Sequence, residues 1–153
     1  MKQATTDEQW MQEALQLAHE AEAIGEVPVG AVVVLNDRII GRGFNQPIYR
    51  CDPSAHAEIL ALRDAAESVN NYRLIDCTLY VTIEPCTMCV GALVHSRVQR
   101  RVYGAPEPKA GAVMSQARLL DSAYLNHQIV HKGGICSETC SYLVRNFFAK
   151  RRC

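Results

Sequence analysis

Trp10, Ala14, Leu17, Ala18 and Ala21 recur at three- and four-residue spacing, the period of a helix with one apolar face. They predict a first helix over residues 6–24. Thr5 and Glu8 are spaced as a capping box at its start, and Gly25 ends it. From Val27 to Leu35 the apolar positions become nearly continuous and β-branched, the pattern of a strand covered on both faces. Asn36-Asp37 suits a two-residue turn, and residues 38–44 return as a second strand, which predicts a hairpin. Residues 45–53 read as a loop, marked by Pro47 and Asp52-Pro53. Ser54 is placed to cap a helix running to about residue 68, with Ile59, Leu60, Leu62 and Ala66 as its apolar face. Residues 79–83 and 98–103 read as third and fourth strands. Between them Pro85 opens a helix over 86–95. A Pro- and Gly-rich loop over 104–111, a short helix over 115–120, a fifth strand over 128–131 and a last helix over 137–150 complete the pattern.

The order α-β-β-α-β-α-β-α-β-α predicts an α/β chain with one sheet layered between helices, in a single domain over residues 1–153. A hydrophobic share of 48% and a charged share of 21% are globular values. The longest apolar run, from Val27, is broken by Pro28 and is too short to span a bilayer. The first residues lack an apolar signal core, so the expectation is a cytoplasmic chain with no membrane attachment. Sixteen basic and sixteen acidic residues cancel, which argues against unselective nucleic-acid binding. The charges are nevertheless segregated. Asp7, Glu8, Glu13, Glu20, Glu22 and Glu26 gather at the first helix, and Arg145, Lys150, Arg151 and Arg152 at the other end. That basic end suits either the dipole of a solvated helix terminus or contact with phosphates.

Seven cysteines do not make a disulfide framework here: the number is odd, no secretory segment precedes them, and the chain is long enough to need no staples. Cys51, Cys77, Cys136 and Cys140 read as small apolar residues or plain thiols, and Cys153 as an exposed terminal one. Cys136 and Cys140 share a helical face, but no further ligand is evident for a second metal.

The chemistry lies in His56-Ala57-Glu58 and Pro85-Cys86-Thr87-Met88-Cys89. One imidazole and two thiolates are zinc ligands, and a catalytic zinc keeps its fourth position open for water. The spacing of Cys86 and Cys89 lets both sulfurs reach one ion from a single turn, and a helix N-terminus favours their thiolate forms. Two thiolates donate charge to the ion and leave its water less acidic than an all-histidine site would, so a dedicated base is needed. Glu58 is placed for that role. Taken singly the motifs are weak. Pro-Cys-x-x-Cys also suits a redox dithiol, or half of a structural zinc knuckle with His95 as a fourth ligand. The dithiol reading leaves His56 and Glu58 unexplained. The combined H-x-E…P-C-x-x-C pattern is that of zinc nucleobase deaminases.

Longer blocks extend the likeness. They include residues 26–32 (EVPVGAV), Asn45-Gln46-Pro47, residues 52–59 (DPSAHAEI), residues 71–75 (NYRLI), residues 82–89 (TIEPCTMC), His95-Ser96-Arg97 and Phe147-Phe148. In these the chain resembles the bacterial tRNA-specific adenosine deaminase family. The resemblance implies a cytidine-deaminase-like three-layer α/β/α sandwich around a five-stranded mixed sheet, a homodimer, and one zinc ion per subunit on His56, Cys86 and Cys89. It implies hydrolysis of adenosine to inosine at the wobble position of a tRNA anticodon loop, with Glu58 moving the protons. It also implies a hydrogen bond from Asn45 to the flipped nucleoside, packing of Val29 on the base, and a contact from the Ala57 backbone to the base edge. A ribose contact is implied at Glu107. There this chain reads Pro-Glu-Pro-Lys where the family commonly has Arg-Asp-Ala-Lys, a longer carboxylate between two prolines. A deaminase of a free base or nucleoside, and a zinc-stabilised RNA-binding module without turnover, remain as alternatives.

Overall fold

The computed structural model describes residues 2–122, 125 and 127–151, with side chains from Asp7 onward. Its strands are β1 (Gly30–Leu35), β2 (Arg38–Phe44), β3 (Thr78–Ile83), β4 (Arg100–Ala105) and β5 (Val130–Lys132). They form one mixed sheet in the order β2-β1-β3-β4-β5. β1 runs antiparallel to both β2 and β3, whereas β3, β4 and β5 are mutually parallel. The expected hairpin closes through Asn36 and Asp37, both at positive φ, as a tight turn of matching twist requires.

Helices cover both faces. α1 (Lys2–Ala23) and α5 (Ser137–Arg151) lie on one side, α3 (Ala57–Val69) and α4 (Thr87–His95) on the other. β1 supplies both cores by alternation. Ala31 and Val33 pack with Ala57, Ala61, Val90 and Leu93, while Val32 and Val34 pack with Met11, Ala14, Cys140 and Leu143. This explains why its apolar run is unbroken. The α3 side is assembled tightly because β2 brings Gly43 against the backbone of Ala57 and Ala61, where a side chain would collide.

Several boundaries differ from the sequence reading. α1 starts at Lys2, so Thr5 lies inside the helix and does not cap it. β1 starts at Gly30, three residues later than the apolar run, because Pro28 has no N–H for a ladder. A four-residue helix, α2 (Pro47–Arg50), interrupts the expected loop, with proline at its first position. Ser54 does not cap α3. It turns back to Asp52, which accepts from both its N–H and its hydroxyl at 2.9 and 2.8 Å, and His56 is the N-cap. The helix expected at 115–120 is a single 3-10 turn at Leu119–Asp121. Cys136 and Cys140 do not form a metal pair: Cys140 is buried against Gly104, and among the described residues the only candidate metal group lies elsewhere. Cys153 and Arg152 lie outside the described residues.

Candidate active site

α3 and α4 begin at one place. His56 is the N-cap residue of α3 and Cys86 that of α4, both with extended backbones, and neither side chain is spent on capping. Cys89, one turn into α4, is fully buried. The three donors therefore meet at two helix N-termini, where unpaired N–H groups and the helix dipoles favour thiolate.

Their separations test whether zinc fits. Cys86 Sγ lies 3.8 Å from Cys89 Sγ, and His56 Nδ1 lies 3.7 and 3.6 Å from Cys86 Sγ and Cys89 Sγ. Tetrahedral zinc with Zn–S near 2.3 Å and Zn–N near 2.0–2.1 Å requires about 3.8 Å between sulfurs and about 3.6 Å from sulfur to nitrogen. The donor set and its spacing match that ion. His95 is not among the donors, and no other His, Cys, Asp or Glu of the described residues joins the group. A fourth position is thus left for water, as a catalytic centre needs and a structural one does not.

Glu58 sits beside this group in the first turn of α3, 5% exposed. Burial pushes its carboxyl up from the usual range, against opposing hydrogen bonds and the neighbouring His56. The Cys86 thiol is pushed down to about 3 by hydrogen bonding from Cys89, with His56 adding to the effect. Contact with the Cys86 sulfur in turn raises His56.

A cavity of about 190 Å³ opens onto these groups. Its lining includes His56, Cys86, Glu58, Val29, Asn45 and Glu107. Val29 and Asn45 are neighbours because the Asn45 N–H donates to the Val29 carbonyl at 3.0 Å, extending the β1–β2 pairing past the strand ends. Ala57 is fully buried and does not line the cavity, although as the first residue of α3 its N–H has no intrahelical acceptor. The basic end divides: Arg145 and Lys150 are exposed on α5, while Arg151 lies over the Phe147 ring and donates to the Gly25 carbonyl, tying α5 to the end of α1.

Sequence reasoning assigned no role to Glu84, which is 2% exposed, lines the same cavity and accepts hydrogen bonds from the 106–116 loop. Its place just before Pro85-Cys86 was the available signal.

Residues 4–105 match the family described as the cytidine and deoxycytidylate deaminase zinc-binding region. A tRNA-specific adenosine deaminase of Haemophilus influenzae is 52% identical, over 95% of this chain and 85% of that protein. One from Bacillus subtilis is 43% identical, over 97% and 92%. The chain belongs to the tRNA-specific adenosine deaminase family. Within it, a solved structure from work on A-to-I editing at the wobble position of transfer RNA superimposes with a TM-score of 0.86 at 39% identity, covering 88% of this chain and 98% of that one. The fold is shared more widely: a guanine deaminase from Nitrosomonas europaea gives a TM-score of 0.79 at 27% identity, over 93% and 84%. The five-stranded mixed sheet between helices is the cytidine-deaminase-like sandwich, and the His-Cys-Cys group is its zinc centre, one ion per subunit.

Proposed function

We propose that this chain hydrolyses adenosine to inosine at the wobble position of tRNA anticodons. The observation that carries the reading is a buried carboxylate, Glu58, opening into the same small cavity as donors at zinc spacing. Bound zinc supplies Lewis acidity and a coordinated water of lowered pKa. Glu58 takes a proton from the attacking water and passes it to the ring nitrogen as the hydroxyl adds to the six-position carbon. It then moves the proton of that new hydroxyl to the amine, so that ammonia leaves as the carbonyl of inosine forms. Burial pushes the Glu58 carboxyl above its usual range, which favours its taking up a proton.

Asn45 holds the nucleoside by a hydrogen bond and Val29 packs on the base, both from the cavity lining; a contact from the Ala57 backbone to the base edge has no such support, since Ala57 lies outside that lining. Glu107, also in the cavity lining, faces the sugar. The cavity is small, so the target base must leave its stack, which costs less in an anticodon loop than in a duplex. A tRNA substrate goes with a cytoplasmic location, and no helix among the described residues is long and apolar enough to cross a membrane. Exposed Arg145 and Lys150 supply phosphate contacts. The functional unit in this reading is a homodimer, supported by a groove on α3 and α4 whose apolar lining is Ile59, Leu62, Ala66 and Ala92, with Arg63 and His95 at the same groove. Sedimentation of the free protein decides that point.

The test of the activity is to incubate zinc-loaded protein with an anticodon stem-loop carrying a wobble adenosine and to look for inosine by mass spectrometry. Absence of inosine with folded, metallated protein overturns the reading. Turnover of free guanine, cytosine or a nucleoside in its place points to a small-substrate deaminase, and RNA binding without turnover to a non-catalytic module.

A further inference from the structure

We infer that Glu84 is a positioning residue: its carboxylate is the template on which the 106–116 loop folds, and it thereby sets where Glu107 stands in the lining of the cavity. One oxygen, Oε1, accepts from the Glu107 N–H at 3.1 Å and from the Ser115 hydroxyl. The other, Oε2, accepts from the N–H groups of Val113, Met114 and Ser115 at 3.0, 2.7 and 3.0 Å. All five donors come from one loop. A carboxylate offers about four lone-pair sites, so this one has nothing left for substrate or metal and acts only through the loop.

The arrangement is reciprocal. The loop forms neither a strand nor an α-helix over 106–116, and these bonds supply much of its order. A buried carboxylate in turn is tolerable only when its oxygens are paired in this way. Gly111 is part of the same fit. A Cβ there would lie 2.5 Å from Glu84 Oε1, so the carboxylate occupies the space of the missing side chain. Glu84 also follows β3 directly, with its own N–H bonded to the Ala105 carbonyl at 2.9 Å, so the template is fixed to the sheet. Prolines on both sides of Glu107 keep that loop from adjusting locally.

An amide cannot replace the carboxylate, because both oxygens face donors and an NH₂ group at either place would meet N–H groups head-on. The inference rests on the proposed contact between Glu107 and the substrate sugar, and its test separates the two. Zinc-loaded wild type, Glu84→Gln and Gly111→Ala are compared for zinc content, for trypsin cleavage after the exposed Lys109, and for kcat and KM on the stem-loop. Both variants are expected to keep zinc, to be cut about tenfold faster after Lys109, and to show KM raised about tenfold with kcat within about threefold. Wild-type cleavage and KM in zinc-loaded Glu84→Gln would overturn the inference. So would lost zinc and lower kcat at constant KM, since Glu84 would then merely support Cys86. Should Glu84→Gln fail to fold, Gly111→Ala decides by the same readouts. If the wild type makes no inosine, the substrate reading fails while cleavage after Lys109 still decides whether Glu84 orders the loop.

Discussion

His56 Nδ1 stands 3.6 Å from Cys89 Sγ, although 33 residues separate them. The contact exists because α3 and α4 aim their N-termini at one point, so removing either ligand should release the ion. His56→Ala is expected to lose stoichiometric zinc. Glu58→Gln should keep one zinc per chain, since Glu58 is not among the donors, yet lose about 10²–10⁴-fold in inosine formation. Metal analysis beside the stem-loop assay checks both. A Glu58→Gln variant that retains activity contradicts the proton role.

Gly43 fixes how closely α3 approaches the sheet. A Cβ added there would run into the carbonyl of Ala57 and lie 2.5 Å from the Ala61 nitrogen, both of them helix backbone that cannot rotate away. Gly43→Ala should therefore push the first turn of α3, with His56 and Glu58, off the sheet. The expected result is a loss of about 1–3 kcal/mol in urea unfolding together with weaker zinc retention. Unchanged zinc affinity would mean that the helix start is not set by this contact.

Much of this was legible in the sequence. The unbroken apolar run around Val32 and Val33 reads as a two-faced strand because local periodicity records burial, and the ligand motifs read as one centre because their chemistry is explicit. What periodicity does not record is tertiary polar pairing. Asp7 reads as one of six acids gathered at the first helix, yet it is fully buried. Glu84 sits within a recognisable block, but its five donors come from a loop more than twenty residues away. Ser54 looked like a cap because it has the right side chain one turn before α3, and the nearer carboxylate of Asp52 took its hydroxyl. Local bonds of this kind compete with capping on equal terms.

Asn45 lies on the cavity wall with its backbone committed to Val29 and its side chain free of any described hydrogen bond, so truncation should disturb substrate more than fold. Asn45→Ala is expected to lower kcat/KM on the stem-loop by about tenfold or more, the worth of a hydrogen bond in a site built for it, with little change in melting temperature. Unaltered kcat/KM would remove Asn45 from the substrate site.

Asp7 gives the pH dependence its sign. Its carboxylate takes two N–H bonds from Arg100 at 2.9 and 2.8 Å and the Tyr80 hydroxyl at 2.7 Å, with Lys132 Nζ at 3.6 Å, so α1 is fastened to β3, β4 and β5 through one side chain. The Arg100 hydrogen bonds hold the carboxyl below its ordinary 3.8, against burial and with help from Tyr80. A group depressed on folding contributes fully above its unfolded pKa, and the contribution fades as pH falls through the folded value. Asp7→Asn removes the charge and leaves Arg100 facing an amide. At neutral pH it should cost about 3 kcal/mol, the lower end for breaking a buried pair, because Arg100 keeps some access to water. Glu84, held down to about 2 against an ordinary 4.5, loses its contribution in an overlapping acid range in both proteins and cancels from the comparison. The stability gap between wild type and Asp7→Asn should thus stay constant from neutrality down to the ordinary aspartate pKa and narrow below it. Urea unfolding of the pair across that range measures it; a gap that widens in acid would mean that the carboxylate is not what fastens α1.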